Sequence, residues 1–287
     1  IGGALIPGLA GSMGYAMAAL AVTPLMVGAV WISLWSIRKA PRVETPAEVS
    51  IGGMFGLVFS NKAFVVLALL YGVMTLAIAM ITAGLPFAAL YLINDDGGTM
   101  LSGAAAALTT LSLMFAAFVL GSILSQAVWV LLSHRFGKTT ALVFGLALYV
   151  VVLYGLYTML PSVNVTVIAG MFILAGMTNG AYQQIPWAMY PDLMDITRRE
   201  SGVAIEGAFS AVWLFGQKLA NAVAPAVLGL TLAGAGWLET TDGVVAQSDV
   251  AIRALQISIT LIPAGILVIA IFGLAVIYRP MAARALA

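Results

Sequence analysis

From Thr139 to Tyr190 the chain runs without a single charged residue. A helix needs only roughly 20 apolar residues to cross a hydrocarbon core of about 30 Å, so this run must hold two membrane spans. Pro161-Ser162-Val163-Asn164 divides it into Thr139–Leu160 and Val165–Met189. The same criterion finds spans at Met13–Ile37, Phe64–Leu92, within Ala105–Leu132, at Gly207–Gly236 and at Ala254–Tyr278. The runs far exceed the roughly 10 residues of a membrane barrel strand and do not alternate, so strands are excluded. The reading is an all-α, polytopic membrane protein with seven complete spans.

Composition removes the competing classes. Charged residues are 8% and hydrophobic ones 62%, with a mean hydropathy of +1.09; a soluble domain carries about 25% charge. A soluble enzyme and a disordered chain are excluded. The net charge of +1 leaves no basic footprint for nucleic acid. The absence of Cys removes disulfides and thiolate chemistry, and a single His removes a His-rich metal site. No nucleophile–base pair is visible, so the chain is not read as an enzyme and no cofactor is expected.

Lys and Arg placement orients the spans. Arg38, Lys39, Arg42, Lys62, Arg135, Lys138, Arg198, Arg199, Arg279 and Arg284 fall on one side, 10 of the 12 basic residues. Arg253 alone falls on the other, with Asp95, Asp96, Glu239, Asp242 and Asp249; Lys218 lies inside a span. The basic side is read as cytoplasmic, which puts the C-terminus there, in a cell-membrane protein.

The chain starts at Ile1, and Ile1–Ala10 reads as the tail of an earlier helix coming outward, so the chain is read as a piece of a longer protein. Residues 1–37 then close one transmembrane half. Residues 38–62 form a central cytoplasmic loop, with Pro41 and Pro46. Residues 63–287 form a six-helix half that divides as three plus three, Phe64–Leu160 and Val165–Tyr278. A central loop before six helices is the plan of a two-half transporter.

Three motifs carry a resemblance. Ile185-Pro186-Trp187-Ala188-Met189-Tyr190-Pro191-Asp192-Leu193-Met194-Asp195 resembles the P-W-A-M-x-P-D-x-x-D of the glycoside–pentoside–hexuronide:cation symporters. These form the melibiose-permease-like branch of the major facilitator superfamily. Glu206-Gly207 with Lys218 twelve residues on resembles that family's E-G and lysine of the eleventh helix. Arg135-Phe136-Gly137-Lys138 resembles its R-x-G-[K/R] turn between the eighth and ninth helices. The sequence departs at His134, at Ile196-Thr197-Arg198 and at Ser201-Gly202-Val203-Ala204, where the family has other charge patterns. The resemblance implies the major facilitator fold, twelve helices in the whole protein, and Na⁺- or H⁺-coupled symport of a sugar or glycoside. The cation site would lie on helices outside this chain, and a monomer in the lipid bilayer is expected.

Lys218 is the only charge in its span. A lysine at the bilayer centre costs about 2.5–3.5 kcal/mol on insertion scales, so it is expected to face a cavity or a partner. Glu206 lies about 18 Å away along the helix. One reading has Lys218 tune the cation site that the resemblance implies; the other is a snorkelling or structurally paired lysine. Asn179, Gln183 and Trp187 recur at i, i+4 and i+8, a plausible sugar-binding face of amides and an indole. Amides that join helices and a Trp in the interfacial belt are the competing reading. Gln126 and Asn221 carry the same choice between cavity lining and helix glue, and Tyr71 with Thr75 forms a further polar pair. Asp192 and Asp195, with Arg135 and Lys138 at the neighbouring break, are read as an inner gate. Pro186 and Pro191 are expected to bend or interrupt their helix. Two alternatives remain: a facilitator carrying a lipid, drug or organic anion, and a facilitator-fold assembly protein that transports nothing.

Overall fold

A computed structural model describes residues 14–39, 50–239 and 244–285. The expected Ile1–Ala10 tail, Pro41, Arg42, Pro46 and Asp242 lie outside the described residues. The helices are α1 (Tyr15–Ile37), α2 (Ile51–Ser60), α3 (Lys62–Tyr91), α4 (Ser102–Leu108), α5 (Thr110–Phe136) and α6 (Lys138–Met159). Next come α7 (Val165–Ser201), α8 (Glu206–Gly234), α9 (Asp249–Ile259) and α10 (Leu261–Phe272). A π-helical turn, Gly273–Tyr278, joins α10 to α11 (Arg279–Ala285). The described residues contain 7 helices long and apolar enough to cross a membrane, with Asp249–Ala285 counted as one. The protein is therefore all-α and polytopic.

Polar residues at the breaks start the helices. Asn61 Oδ1 accepts from Phe64 N at 3.0 Å and opens α3; Asn164 Oδ1 accepts from Val167 N at 3.0 Å and opens α7. Ser248 Oγ caps α9 in the same way. Each supplies an acceptor for a backbone N–H that the first turn leaves unpaired. Gly137 joins α5 directly to α6 at φ +85°, a conformation that a side chain would strain. Gly202 closes α7 in the left-handed region, its N–H on Arg198 O at 2.9 Å.

Two expectations need correction. The span read as Val165–Met189 continues to Ser201, 37 residues in all. At 1.5 Å per residue that is roughly 55 Å, well beyond the hydrocarbon core. The charged Asp192–Glu200 stretch thus extends the helix instead of ending it. Of the bend or interruption expected at Pro186 and Pro191, the interruption does not occur: both sit inside α7. Proline removes one backbone bond and crowds the preceding turn. Packing on two sides holds the helix here, and a lysine from α6 reaches its backbone.

The helix α7 is the most buried span, with α5 and α6 packed along it, while α3 packs on α8, and α10 contacts both α3 and α6. Close α5–α7 approach rests on small residues: a Cβ on Gly176 would overlap the Phe118 carbonyl, and one on Gly121 the Ile173 carbonyl. Gly180 leaves room for Ser125 and Trp129, whose Nε1 donates to Met177 O at 2.7 Å. Glycine faces let membrane helices gain dispersion contacts where no hydrophobic drive exists between apolar partners.

Each end of the bundle has its own ties. At the basic end, Asn61 Nδ2 donates to Leu193 O and Thr197 Oγ1, both at 2.9 Å. At the acidic end, Asn94 N donates to Ser162 O and Ser162 N to Leu92 O, both at 2.8 Å. Gln256 Nε2 there donates to Tyr157 O and Leu160 O at 2.6 Å each. Residues that the sequence assigns to one side of the membrane meet in space, as alternating spans require. Helix α1 stands apart: its apolar window is 6% buried, and Trp31 and Trp35 are exposed.

Candidate solute-binding site

Polar side chains are rare in these spans, so where they gather matters. Thr75 and Thr82 of α3, Tyr182 and Gln183 of α7, and Gln217 and Asn221 of α8 line one cleft of 370 Å³. Elsewhere the spans expose many Leu, Ile, Val and Phe side chains, as a lipid face does. A stripe of amides and hydroxyls on three adjacent helices is unsuited to lipid contact and suited to water or a polar solute.

A hydrogen-bonded floor fixes the cleft. Gln217 Nε2 donates to the Tyr71 hydroxyl at 2.9 Å, bridging α8 to α3. The Thr75 and Tyr182 hydroxyls meet at 2.8 Å, bridging α3 to α7, and Thr75 Oγ1 also reaches Tyr71 O at 2.7 Å. Asn221 Nδ2 donates to Gln217 O at 2.9 Å.

Beneath this floor lies an aromatic stack that the sequence reading missed. Tyr71 sits between Trp213, with centroids 4.1 Å apart and planes at 11°, and Tyr182, at 5.6 Å and 18°. Tyr190 stacks on the far side of Trp213 at 4.9 Å. Trp187 meets Tyr71 and Trp213 edge-on, at 6.5 and 6.1 Å. Such pairs contribute roughly 0.5–1.5 kcal/mol each beyond area burial. The Trp213 Nε1 is buried without a partner among the described residues. Trp187 keeps 38% of its surface exposed.

Not every expected residue reaches the cleft. Gln183 and Asn221 do, and Trp187 borders the stack below it. Asn179 does not: it is 0% exposed, and neither carboxamide atom has a partner among the described residues. Steps of four residues drift by about 40° around a helix. Over the eight residues from Trp187 back to Asn179 that drift turns the side chain into the core. Gln126 is elsewhere too. Its Nε2 donates to Ser122 O at 3.1 Å, and its carbonyl accepts from Gln184 Nε2 at 3.2 Å, which ties α5 to α7.

Lys218 is exposed and makes no ion pair with a described residue. At about 100° per residue, it falls on α8 between two strips. On one flank are Gln217 and Asn221 of the polar cleft. On the other lies an apolar groove of 660 Å³ that includes Phe59, Leu69, Phe215 and Leu219.

At the basic end, Lys138 Nζ meets Asp192 Oδ2 at 2.6 Å and Ala188 O at 2.8 Å. The turn Arg135–Lys138 and the Pro191-Asp192 motif are therefore in direct contact. Arg135 and Asp195 are exposed and pair with no described residue; the Arg135 guanidinium lies over the Phe136 ring at 5.7 Å. Arg198 and Glu206 form a second pair at 3.0 Å, both about half-exposed.

Known proteins give this geometry a context. The profile of a family described as MFS/sugar transport protein matches residues 4–279. An uncharacterised symporter from Synechocystis sp. is 29% identical over 151 residues, 50% of this chain and 28% of that protein. The sodium-dependent lysophosphatidylcholine symporter 1-A of Danio rerio is 30% identical over 145 residues, 50% of this chain and 26% of that protein. The chain spans about a quarter of the length of these relatives. The family match runs through every membrane span described above, and the chain belongs to the MFS/sugar transport protein family of the major facilitator superfamily.

Proposed function

We propose that this chain supplies the C-terminal half of a cation-coupled symporter of the melibiose-permease-like branch, moving a sugar or glycoside by alternating access. The carrying observation is the 370 Å³ cleft with two amides from α8, one from α7 and hydroxyls from α3. Its size falls in the range of small-molecule sites, roughly 300–1,000 Å³. Amides and hydroxyls both donate and accept, which matches a neutral polyol better than an ion. Gln183, Gln217 and Asn221 would bind solute hydroxyls, and Trp187 would cover a sugar face. Lys218 would face carboxylates of the other half and compete with Na⁺ or H⁺ for them. Asp192 with Lys138 would brace the cytoplasmic ends while the carrier is open outward, and Asp195 and Arg135 would pair across to the other half. The test is the full-length protein in vesicles, with labelled sugars offered with and without a Na⁺ or proton gradient. Gradient-driven accumulation supports the reading; no accumulation of any sugar under either gradient opposes it.

A second reading has one observation in its favour. The apolar groove beside Lys218 and the polar cleft together would suit a solute with a polar head and an acyl tail. The Danio rerio relative is named for such a solute. Uptake of lysophosphatidylcholine in the same vesicles, with no sugar uptake, selects this reading.

A further inference from the structure

A second polar cavity lies at the basic end of the bundle, away from the solute cleft. It measures 460 Å³ and is set where α2 hands over to α3, beside the end of α7 and against α11. Ser60, Asn61, Lys62, Thr197, Glu200 and Arg284 give it its polar wall, and Ile196 and Met281 an apolar one. None of these side chains belongs to the transport machinery proposed above.

The cavity is built on fixed parts. Asn61 is held at three points: its Oδ1 accepts from Phe64 N, and its Nδ2 donates to Leu193 O and Thr197 Oγ1. Thr197 is buried, and Ser60 Oγ donates to Leu57 O at 2.7 Å. The charged groups are different. Lys62, Arg284 and Glu200 are all exposed, and none enters the ion pairs found among the described residues. Two cations and one carboxylate around one cavity sum to a single positive charge.

Depth narrows the ligand. Lys62 is the first residue of α3 and Arg284 stands in the last turn of α11, so both lie at the basic ends of helices apolar enough to cross a membrane. A basic cavity at that level, with an apolar wall leading toward the hydrocarbon, fits a lipid phosphate. Arg and Lys are the side chains that bind phosphate oxygens best. The sum of +1 matches a phosphodiester, which carries one negative charge. It matches a phosphomonoester, with −1.5 to −2, less well.

We infer that the groove between Lys62, Arg284 and Glu200 binds the phosphodiester headgroup of an anionic phospholipid of the basic-side leaflet, such as phosphatidylglycerol. The bound lipid would link α3, α7 and α11 at the end where α7 carries Asp192.

Native mass spectrometry of the full-length protein, titrated with phosphatidylglycerol, tests this. The wild type retains one lipid that the Lys62→Gln, Arg284→Gln double variant binds about 30-fold more weakly. The control Arg38→Gln, Lys39→Gln removes the same charge from the same side outside the groove and leaves that lipid in place. Glu200→Gln tightens phosphatidylglycerol and lets phosphatidic acid, a phosphomonoester, compete. Unfolding of the lipid-free variants in detergent checks that the groove survives. Three results overturn the inference: equal loss in the groove and control variants, retention undiminished in the groove variant, or displacement of the lipid by millimolar inorganic phosphate. The last would make the cavity a site for free anions. None of these outcomes depends on which solute is transported.

Discussion

Helix α7 has two working faces, and they are built on opposite rules. Toward α5 it presents Gly176, where backbone packs on backbone, and Gly180, where the Ser125 and Trp129 side chains fill the space, and neither leaves room for a Cβ. Toward α3 and α8 it presents Tyr182, Gln183 and Trp187, and the surface opens into a polar cleft. The first face gains stability from dispersion and tolerates no added volume. The second is stabilised by hydrogen bonds at its floor, through Gln217 and Asn221, and leaves the Gln183 amide outside the hydrogen bonds found among the described residues. A seam so tight on one side opposes sliding of α7 against α5. Changes in access are therefore expected along the α3–α8 side, where the contacts are polar and replaceable.

The largest effect should come from filling the seam. Gly176→Leu drives a side chain into the Phe118 carbonyl and should abolish folded protein; overpacking alone costs about 1–3 kcal/mol even where neighbours can yield. Gly216 on α8 has nothing within 4 Å of its added Cβ, and Gly216→Ala should express as wild type. Fluorescence size-exclusion profiles of both variants make the comparison. Equal profiles would remove the distinction between the two regions.

Next in size is Lys218→Met. The change removes a desolvation cost, so insertion and yield should hold. Concentrative uptake should fall by tenfold or more on the order set by losing one coupling charge, while exchange of solute across the membrane persists. Accumulation to wild-type levels would make Lys218 structural. Gln217→Leu is milder. It deletes the bond to the Tyr71 hydroxyl, a net contribution of about 0.5–1.5 kcal/mol. Half-saturation for solute should rise up to about tenfold with expression unchanged. A loss of yield without a change in half-saturation would assign the bond to folding alone.

The smallest stability effect belongs to Lys138→Gln. Lys138 and Asp192 are 39% and 40% exposed, and exposed pairs contribute about 0.2–1 kcal/mol. Thermal unfolding should barely move. The balance of access should still shift, with cysteines in the basic-end half of the cleft labelling faster. Unchanged labelling would leave the pair with no part in gating.

The spans were legible because charge is costly in hydrocarbon, and the breaks at Arg38, Asn94, His134 and Pro161 announce themselves. The continuation of α7 to Ser201 was not, because Pro191 and the following charges look like a stop. Asp192 is held by Lys138 of α6, far back in the chain, and Arg198 by Glu206 just across the turn into α8, and neither pairing shows in the local pattern. Gln183 and Asn221 could be found as amides in apolar helices. Asn179 followed the same logic into the core, since spacing does not reveal how far a row of residues drifts toward a neighbour. The stack of Tyr182, Tyr71, Trp213 and Tyr190 draws on three helices. Trp187 and Tyr190, at i and i+3, are its local sign, and apolar spans show many such pairs.

Thiol accessibility tests the central claim most directly, that the α3–α7–α8 face is an aqueous cleft and not a lipid surface. This chain contains no Cys, so in a full-length background with any other Cys replaced, a cysteine placed at Asn221 or at Ile123 is the only reactive thiol. Asn221 lines the cleft, whereas Ile123 lies 64% exposed on α5. In the full-length protein in vesicles, a water-soluble thiol reagent should modify Asn221→Cys readily and Ile123→Cys hardly at all. Asn221→Cys reacting as slowly as Ile123→Cys would place that face against lipid and contradict the account.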